Sequence, residues 1–198
     1  ALLLTLPAAA ACLVIPDEII RELFERGAFG AEATTATASA LFAYATGLPA
    51  YVLIRVLAPG FYAREDTSTP VRIAIAAMIV NIVLMLVLMK PLGHVGIALA
   101  ASASAWLNTL LVAIVLVRRG HFALDARTRS RLPRIVLATA GMVGVLEVGR
   151  QNLGFLIAGN TAEQVLGLGL LVALGLAAFA AFALVLRAAG LKDAKSML

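Results

Sequence analysis

Five residues of this sequence have the type and setting to act on a ligand: Arg55, Asn81, Asn108, Glu147 and Arg150. Each interrupts or closes a run of apolar residues, where a polar group is costly and is kept for a partner or a function. Glu147 and Arg150 stand three apart, so on a helix they share a face and can pair. The pair reads either as a functional element or as an interfacial one near the end of its run. Arg55 carries a guanidinium fork that suits a phosphate; its long stem equally lets it reach out to a polar surface. The Asn81 amide, and Asn108 with Ser102 and Ser104, read either as hydrogen-bonding glue between helices or as the lining of a cavity.

None of these groups makes a catalytic constellation. His121 and Asp125 are separated by three residues, one fewer than in the glycerolipid acyltransferase motif, and no second motif supports them. No Gly-x-x-x-x-Gly-Lys-Ser/Thr phosphate loop occurs, and no Cys/His spacing marks a metal site. The single cysteine, Cys12, lies in an apolar run and reads as a packing residue. The expectation is therefore a protein that is not an enzyme and that carries no cofactor and no metal.

The elements that must position these residues follow from the composition. The 198 residues are 62% hydrophobic and only 14% charged, with a mean hydropathy of +1.00. Soluble domains are nearer half apolar and about a quarter charged. The excess is gathered into charge-free runs, as in membrane-spanning helices. The net charge of +5 does not point to nucleic acid, because the basic residues fall between the runs, where they set orientation.

Six runs are legible. Residues 1–16 are charge-free and read as a span cut part-way through; with no Met and no basic leader at Ala1, the chain reads as the C-terminal piece of something longer. Between 17 and 26, Ile19, Ile20, Leu23 and Phe24 fall at helical spacing among charges, which predicts a short amphipathic helix in the interface, ended by Gly27. Residues 33–54 give 22 uncharged positions, 73–89 give 17 and 95–117 give 23. At about 1.5 Å per residue such lengths cross a hydrocarbon core of roughly 30 Å. Pro49, after Gly47, predicts a kink in the second run, and Thr69-Pro70 predicts a capped start to the third. The fifth run is 135–146, resuming through Leu153 and Phe155, and the sixth is 164–186. The fold class expected is all-α, a polytopic bundle of about six transmembrane helices.

Basic residues divide unevenly between alternate connections. Twelve of the sixteen lie on one side: Arg55, Arg64 and Arg72; Arg118, Arg119, Arg127, Arg129, Arg131 and Arg134; and Arg187, Lys192 and Lys195. The positive-inside rule places the 118–134 loop and the C-terminus in the cytoplasm and the 17–32 segment outside. The loop arginines most simply meet the anionic inner leaflet.

Several pieces occur together in order: Leu23-Phe24-Glu25-Arg26-Gly27-Ala28-Phe29, Val56-Leu57-Ala58-Pro59-Gly60-Phe61-Tyr62-Ala63-Arg64-Glu65-Asp66, Thr69-Pro70-Val71-Arg72-Ile73-Ala74, Pro91-Leu92-Gly93-His94-Val95-Gly96 and Trp106-Leu107-Asn108. In these the chain resembles the MurJ/MviN family of lipid II flippases, within the multidrug/oligosaccharidyl-lipid/polysaccharide exporter superfamily. The resemblance implies a fourteen-helix transporter of two pseudo-symmetric lobes around a central cavity. Its last two helices form a lipid-facing groove, and this chain would supply helices nine to fourteen. It implies the lipid-linked peptidoglycan precursor as partner, with membrane lipids and the remaining N-terminal lobe, in the bacterial cytoplasmic membrane. The cavity arginines of the family would lie largely in that other lobe, and Met85 stands where related sequences often carry a second asparagine. On this reading 1–117 belongs to the second lobe, 118–134 is a basic cytoplasmic loop, and 135–198 holds the groove helices and tail. Export of another lipid-linked glycan or a drug, and a non-transporting membrane subunit, are the alternative functions. A membrane-embedded enzyme would need clustered acids or histidines at membrane depth, and Glu147 is the one acidic residue there.

Overall fold

A computed structural model describes residues 1–120, 126–153 and 161–186, without the side chains of 126–127 and 161–162. His121, Asp125, Phe155 and the basic tail from 187 onward lie outside the described residues. Among the described residues there is no strand. That is the expected result for chains this apolar, because in hydrocarbon only a helix satisfies every backbone N–H and C=O within its own segment. The helices are α1 (Leu2–Val14), α2 (Pro16–Phe24), α3 (Ala31–Ala45), α4 (Leu48–Leu57), α5 (Pro59–Tyr62), α6 (Ser68–Arg118), α7 (Ala126–Asn152) and α8 (Thr161–Val185).

Four stretches are long and apolar enough to cross a membrane: Ala31–Tyr62, Ser68–Arg118, Thr128–Asn152 and Glu163–Val185. The pair α1 and α2, bent by 80°, passes the same test jointly. The chain separates into two units, one of residues 1–5 and 35–123, the other of 6–34 and 124–198.

In the first unit, α6 is 51 residues long, about 76 Å at a helical rise, and so more than twice a hydrocarbon core. It is not straight. Gly93 takes φ 56° and ψ −132°, outside helical space and open to glycine at little cost. At Gly96 an added Cβ would collide with the Leu88 carbonyl, so the chain doubles back there. The two ends of the helix meet: an Arg119 guanidinium nitrogen lies 3.1 Å from the Thr69 hydroxyl. The third and fourth runs read from the sequence are thus the two limbs of one hairpin. Leu57 and Phe61 from α4 and α5 pack on Val112 and Leu116 of its second limb. Between lipid-surrounded helices such packing stabilises by van der Waals contact rather than by removal from water.

The second run is broken where Pro49 predicts it. α3 stops at Ala45, and α4 restarts at Leu48 with proline in its first turn. The Thr69 hydroxyl, by contrast, does not cap α6: it lies inside the first turn, and Asp66 accepts the Thr69 N–H instead, at 3.0 Å.

In the second unit, α7 and α8 lie side by side, and α2 packs on α8. α2 starts on Pro16 with Asp17 and Glu18 in its first turn, where the helix dipole favours acids. It ends at Phe24, and Gly27 two residues past the Glu25 cap takes φ 60°. The helix is amphipathic as its spacing suggests, but it leaves Leu23 and Phe24 exposed while Ile20 and Glu22 are buried.

Candidate functional site

A cavity opens between α7 and α8. Small residues let these helices approach closely. A Cβ on Gly141 would stand 2.8 Å from the Phe182 ring, one on Gly149 2.8 Å from a Leu174 methyl, and one on Gly175 3.0 Å from a Leu146 methyl. Where the helices part, a groove of about 700 Å³ is lined by Gly144, Val145, Val148, Leu170 and Leu174, with Asn152 at its edge. The Asn152 amide is spent on its own helix, donating to the Val148 carbonyl at 2.7 Å. Gly144 has no atom within 4 Å of where a Cβ would be, so it forms open floor. An apolar slot of this size fits a hydrocarbon chain and offers a polar headgroup nothing.

On another side of α7, charged groups gather with α2. Arg150 donates to Glu147 at 2.8 Å and stands 3.9 Å from Glu18; Gln151 also donates to Glu147, at 3.2 Å. The pairing that the three-residue spacing suggests is present. On α2, Arg26 lies 3.3 Å from Glu22, and Arg21 3.6 Å from Glu25.

The first unit holds two polar arrangements. The first is a ladder from the second limb of α6 to the backbone of α3 and α4. His94 Nε2 donates to the Ala36 carbonyl at 2.8 Å, Ser102 to Ala43 at 2.7 Å, the Trp106 indole to Thr46 at 2.9 Å and Thr109 to Ala50 at 2.9 Å. The second is a clasp at the base of the hairpin. The Asp66 carboxylate accepts from the Thr69 hydroxyl at 2.7 Å, the Ser68 hydroxyl at 3.1 Å and the Arg119 guanidinium. Arg119 also lies over the Phe61 ring, 5.9 Å from its centroid. The Thr69 hydroxyl and N–H, then Arg119, hold the Asp66 carboxyl well below the usual carboxylate range.

The five residues singled out from the sequence fall in both units. Glu147 and Arg150 are brought together; Arg55, Asn81 and Asn108 are not brought to one point by any contact in the first unit. Arg55 is exposed at the end of α4 without a hydrogen bond or ion pair among the described residues. Asn81 is half-buried on the first limb of α6, also without a hydrogen bond there. Asn108 buries its Oδ1 without a partner. The bonding between helices goes instead to Ser102, Trp106 and Thr109, whose four- and three-residue spacing marks one face of a helix and was the signal available in the sequence. Ser104 turns back on its own helix, donating to Ala101 at 2.9 Å.

Residues 1–156 match the family described as "Lipid II flippase MurJ". The chain is 47% identical over 154 residues to a probable lipid II flippase MurJ of Rhizobium meliloti, covering 78% of this chain and 29% of that protein. It is 36% identical over 193 residues to a probable lipid II flippase MurJ of Vibrio cholerae, covering 98% of this chain and 37% of that one. Among solved structures, one titled "Lipid II flippase MurJ, inward closed conformation" superposes with a TM-score of 0.76 at 22% identity, over 94% of this chain and 37% of that structure's. That likeness extends to the fold. The chain therefore spans roughly a third of the length of the relatives it matches. With a family match running from Ala1 through the whole of α7 and the same helical architecture, this chain belongs to the MurJ family of lipid II flippases.

Proposed function

We propose that this chain is part of a flippase that moves the lipid-linked peptidoglycan precursor, lipid II, from the inner to the outer leaflet of the bacterial cytoplasmic membrane. Family membership carries the reading, and the apolar groove between α7 and α8 supports it at the level of atoms. Flipping requires a path for a large anionic headgroup that hydrocarbon excludes, while the tail stays in the bilayer. The groove is the tail's place: open, apolar, and floored by Gly144. Arg55, exposed and unpaired among the described residues, and the Asn81 and Asn108 amides are our candidates for headgroup contact. Glu147 and Arg150 sit apart from the groove lining and act with α2.

The protein is a transporter rather than an enzyme, with lipid II, the surrounding lipids and the rest of the transporter as partners. The basic residues place the base of the α6 hairpin, with Arg64, Arg72, Arg118 and Arg119, in the cytoplasm together with the C-terminus. Residues 1–117 serve as part of the second lobe, 118–134 as a basic connection of which 126–134 form the first turns of α7 rather than a loop, and 135–198 as groove helices and tail. A membrane potential, inside negative, is worth about 2.3 kcal/mol per charge per 100 mV and favours outward passage of an anion.

Gly144→Phe in the full-length protein tests the assignment. The new Cβ would meet nothing within 4 Å, and a groove of about 700 Å³ can take the ring, so the protein should fold and reach the membrane. Cells depleted of their own flippase and supplied with the variant should then hold lipid II that an external probe cannot reach. Normal accessibility would remove the groove from the reaction, and normal accessibility in depleted cells without any supplied flippase would remove the function itself.

A further inference from the structure

The broken span of α3 and α4 carries a polar stripe along one exposed face. Hydrogen bonds run on through the break: the Thr46 N–H meets the Phe42 carbonyl at 3.4 Å, Gly47 meets Tyr44 at 2.9 Å and Tyr51 meets Gly47 at 3.1 Å. The helical phase therefore carries across, and residues seven apart stay on one side. Thr37, Tyr44 and Tyr51 stand at that spacing, and Arg55 follows Tyr51 by four. Tyr44 is 43% exposed, Tyr51 is 40% exposed, and Arg55 is exposed at the end of the stripe. Ala43, Ala45 and Ala50 beside them are buried.

Tyrosines are common at the two surfaces of a membrane, but Tyr44 is not at one. It lies about 16 Å into the uncharged run that starts at Ala33, near the middle of a core of roughly 30 Å. Its hydroxyl makes no hydrogen bond among the described residues, and hydrocarbon would leave it unsatisfied. The exposed side of the first limb of α6 shows the contrast: Ile75, Ile79 and Ile82 there are wholly apolar. The Tyr51 hydroxyl is spent on the Ala101 carbonyl at 3.2 Å, which fixes its ring and leaves the ring as the part on offer. Arg55 has no ion pair or hydrogen bond among the described residues, so an uncompensated cation closes the row.

We propose that this stripe is a glycan track: Tyr44 and Tyr51 stack on sugar rings, and Arg55 takes the pyrophosphate that carries them. The inference rests on the flippase reading and names the part of the headgroup that this face would hold. A sugar ring offers an apolar C–H face to an aromatic ring and hydroxyls at its rim to a phenol, and tyrosine has both an apolar body and a polar tip. Along the helix, Tyr44 and Tyr51 are about 10 Å apart and Arg55 is about 6 Å further on. Two rings and then a cation match the order of a disaccharide on a pyrophosphate. The guanidinium fork suits the phosphate oxygens.

Equilibrium binding to the purified full-length protein in lipid nanodiscs tests this with two probes, lipid II and the same polyprenyl pyrophosphate without its sugars. Wild-type protein should bind lipid II at least tenfold more tightly than the bare pyrophosphate. Tyr44→Leu and Tyr51→Leu should each remove most of that difference while leaving the bare pyrophosphate bound as before. Tyr44→Phe, which keeps the ring, should retain more of the difference than Tyr44→Leu, and Arg55→Gln should weaken both probes. The Tyr44 hydroxyl holds nothing in place, so the Tyr44 variants should fold even if loss of the Ala101 bond unfolds Tyr51→Leu. Tyr44 variants that keep the full preference for lipid II, or that weaken both probes alike, would overturn the track and leave the flippase reading standing. Wild-type protein that binds neither probe would remove that reading itself, and the track with it.

Discussion

At Gly47 the broken span comes close to the α6 hairpin, and a single methyl there should be felt. A Cβ at this position would stand 2.6 Å from the Ser102 hydroxyl oxygen, 2.9 Å from Ser102 Cβ and 2.9 Å from its Cα. The side-chain oxygen can rotate, but the Cα cannot, so Gly47→Ala must push the helices apart. Overpacking of this kind costs about 1–3 kcal/mol. The displaced Ser102 would also lose its buried bond to Ala43, now 2.7 Å long, for roughly a further 0.6–1.5 kcal/mol. The total, about 2–4 kcal/mol, should lower the melting temperature of the purified protein by several degrees. Adding Ser102→Gly removes two of the three close atoms and should recover about half of the loss, a coupling that a double-mutant cycle reads directly. If Gly47→Ala melts with the wild type, the close approach is not a feature of the folded protein. If Ser102→Gly brings no recovery, Ser102 is not what Gly47 meets.

Two further outcomes follow from the clasp and the groove. The Asp66 carboxyl is held below its unfolded value, so its contribution to stability is complete above the unfolded range near pH 4 and fades only as pH falls through the lower folded value. The gap in melting temperature between wild type and Asp66→Asn should therefore be flat from about pH 5 to 8 and close only below about pH 4; closure near neutrality would refute the clasp. In the groove helices, Gly141→Ala, which meets the Phe182 ring at 2.8 Å, should lower the melting temperature, whereas Gly144→Ala, with nothing within 4 Å, should leave it unchanged; equal effects at both positions would refute the α7–α8 packing.

Much of the fold was open to sequence reasoning because hydropathy reports the solvent each residue meets. Runs 73–89 and 95–117 emerged as separate spans because Lys90, Pro91 and Gly93 break the apolar pattern where the chain reverses. The Glu147–Arg150 pair was readable because two charges three apart on a helix can hardly avoid each other. What the pattern did not carry was partnership across helices. Asn81 and Asn108 drew attention as the most polar groups in their spans, yet the bonds fell to Ser102, Trp106 and Thr109, which lie on the face that meets α3 and α4. Hydropathy likewise put Glu18 and Glu22 on the wet side of an interfacial helix. It is their packing against α8 that buries them, while Leu23 and Phe24 stay exposed.

The break at Pro49 invites a hinge, and the bonds around it argue for a fixed joint. Proline removes one helical donor, and the chain tightens there, with the Gly47 N–H on Tyr44 at 2.9 Å. In hydrocarbon, carbonyls loosened by such a break must find other donors. The second limb of α6 supplies them: Ser102 to Ala43, Trp106 to Thr46 and Thr109 to Ala50, one contact before the break, one in it and one beyond. The Tyr51 hydroxyl returns a fourth bond to Ala101, at 3.2 Å. Bending at Pro49 would have to release several of these at once. At about 0.6 kcal/mol each, and up to about 1.7, they oppose rotation of α4 against α3 far more than the lost proline donor favours it. On the proposed function, the motion that flipping needs is thus expected to carry α3, α4 and the second limb of α6 as one body, with the joint closed.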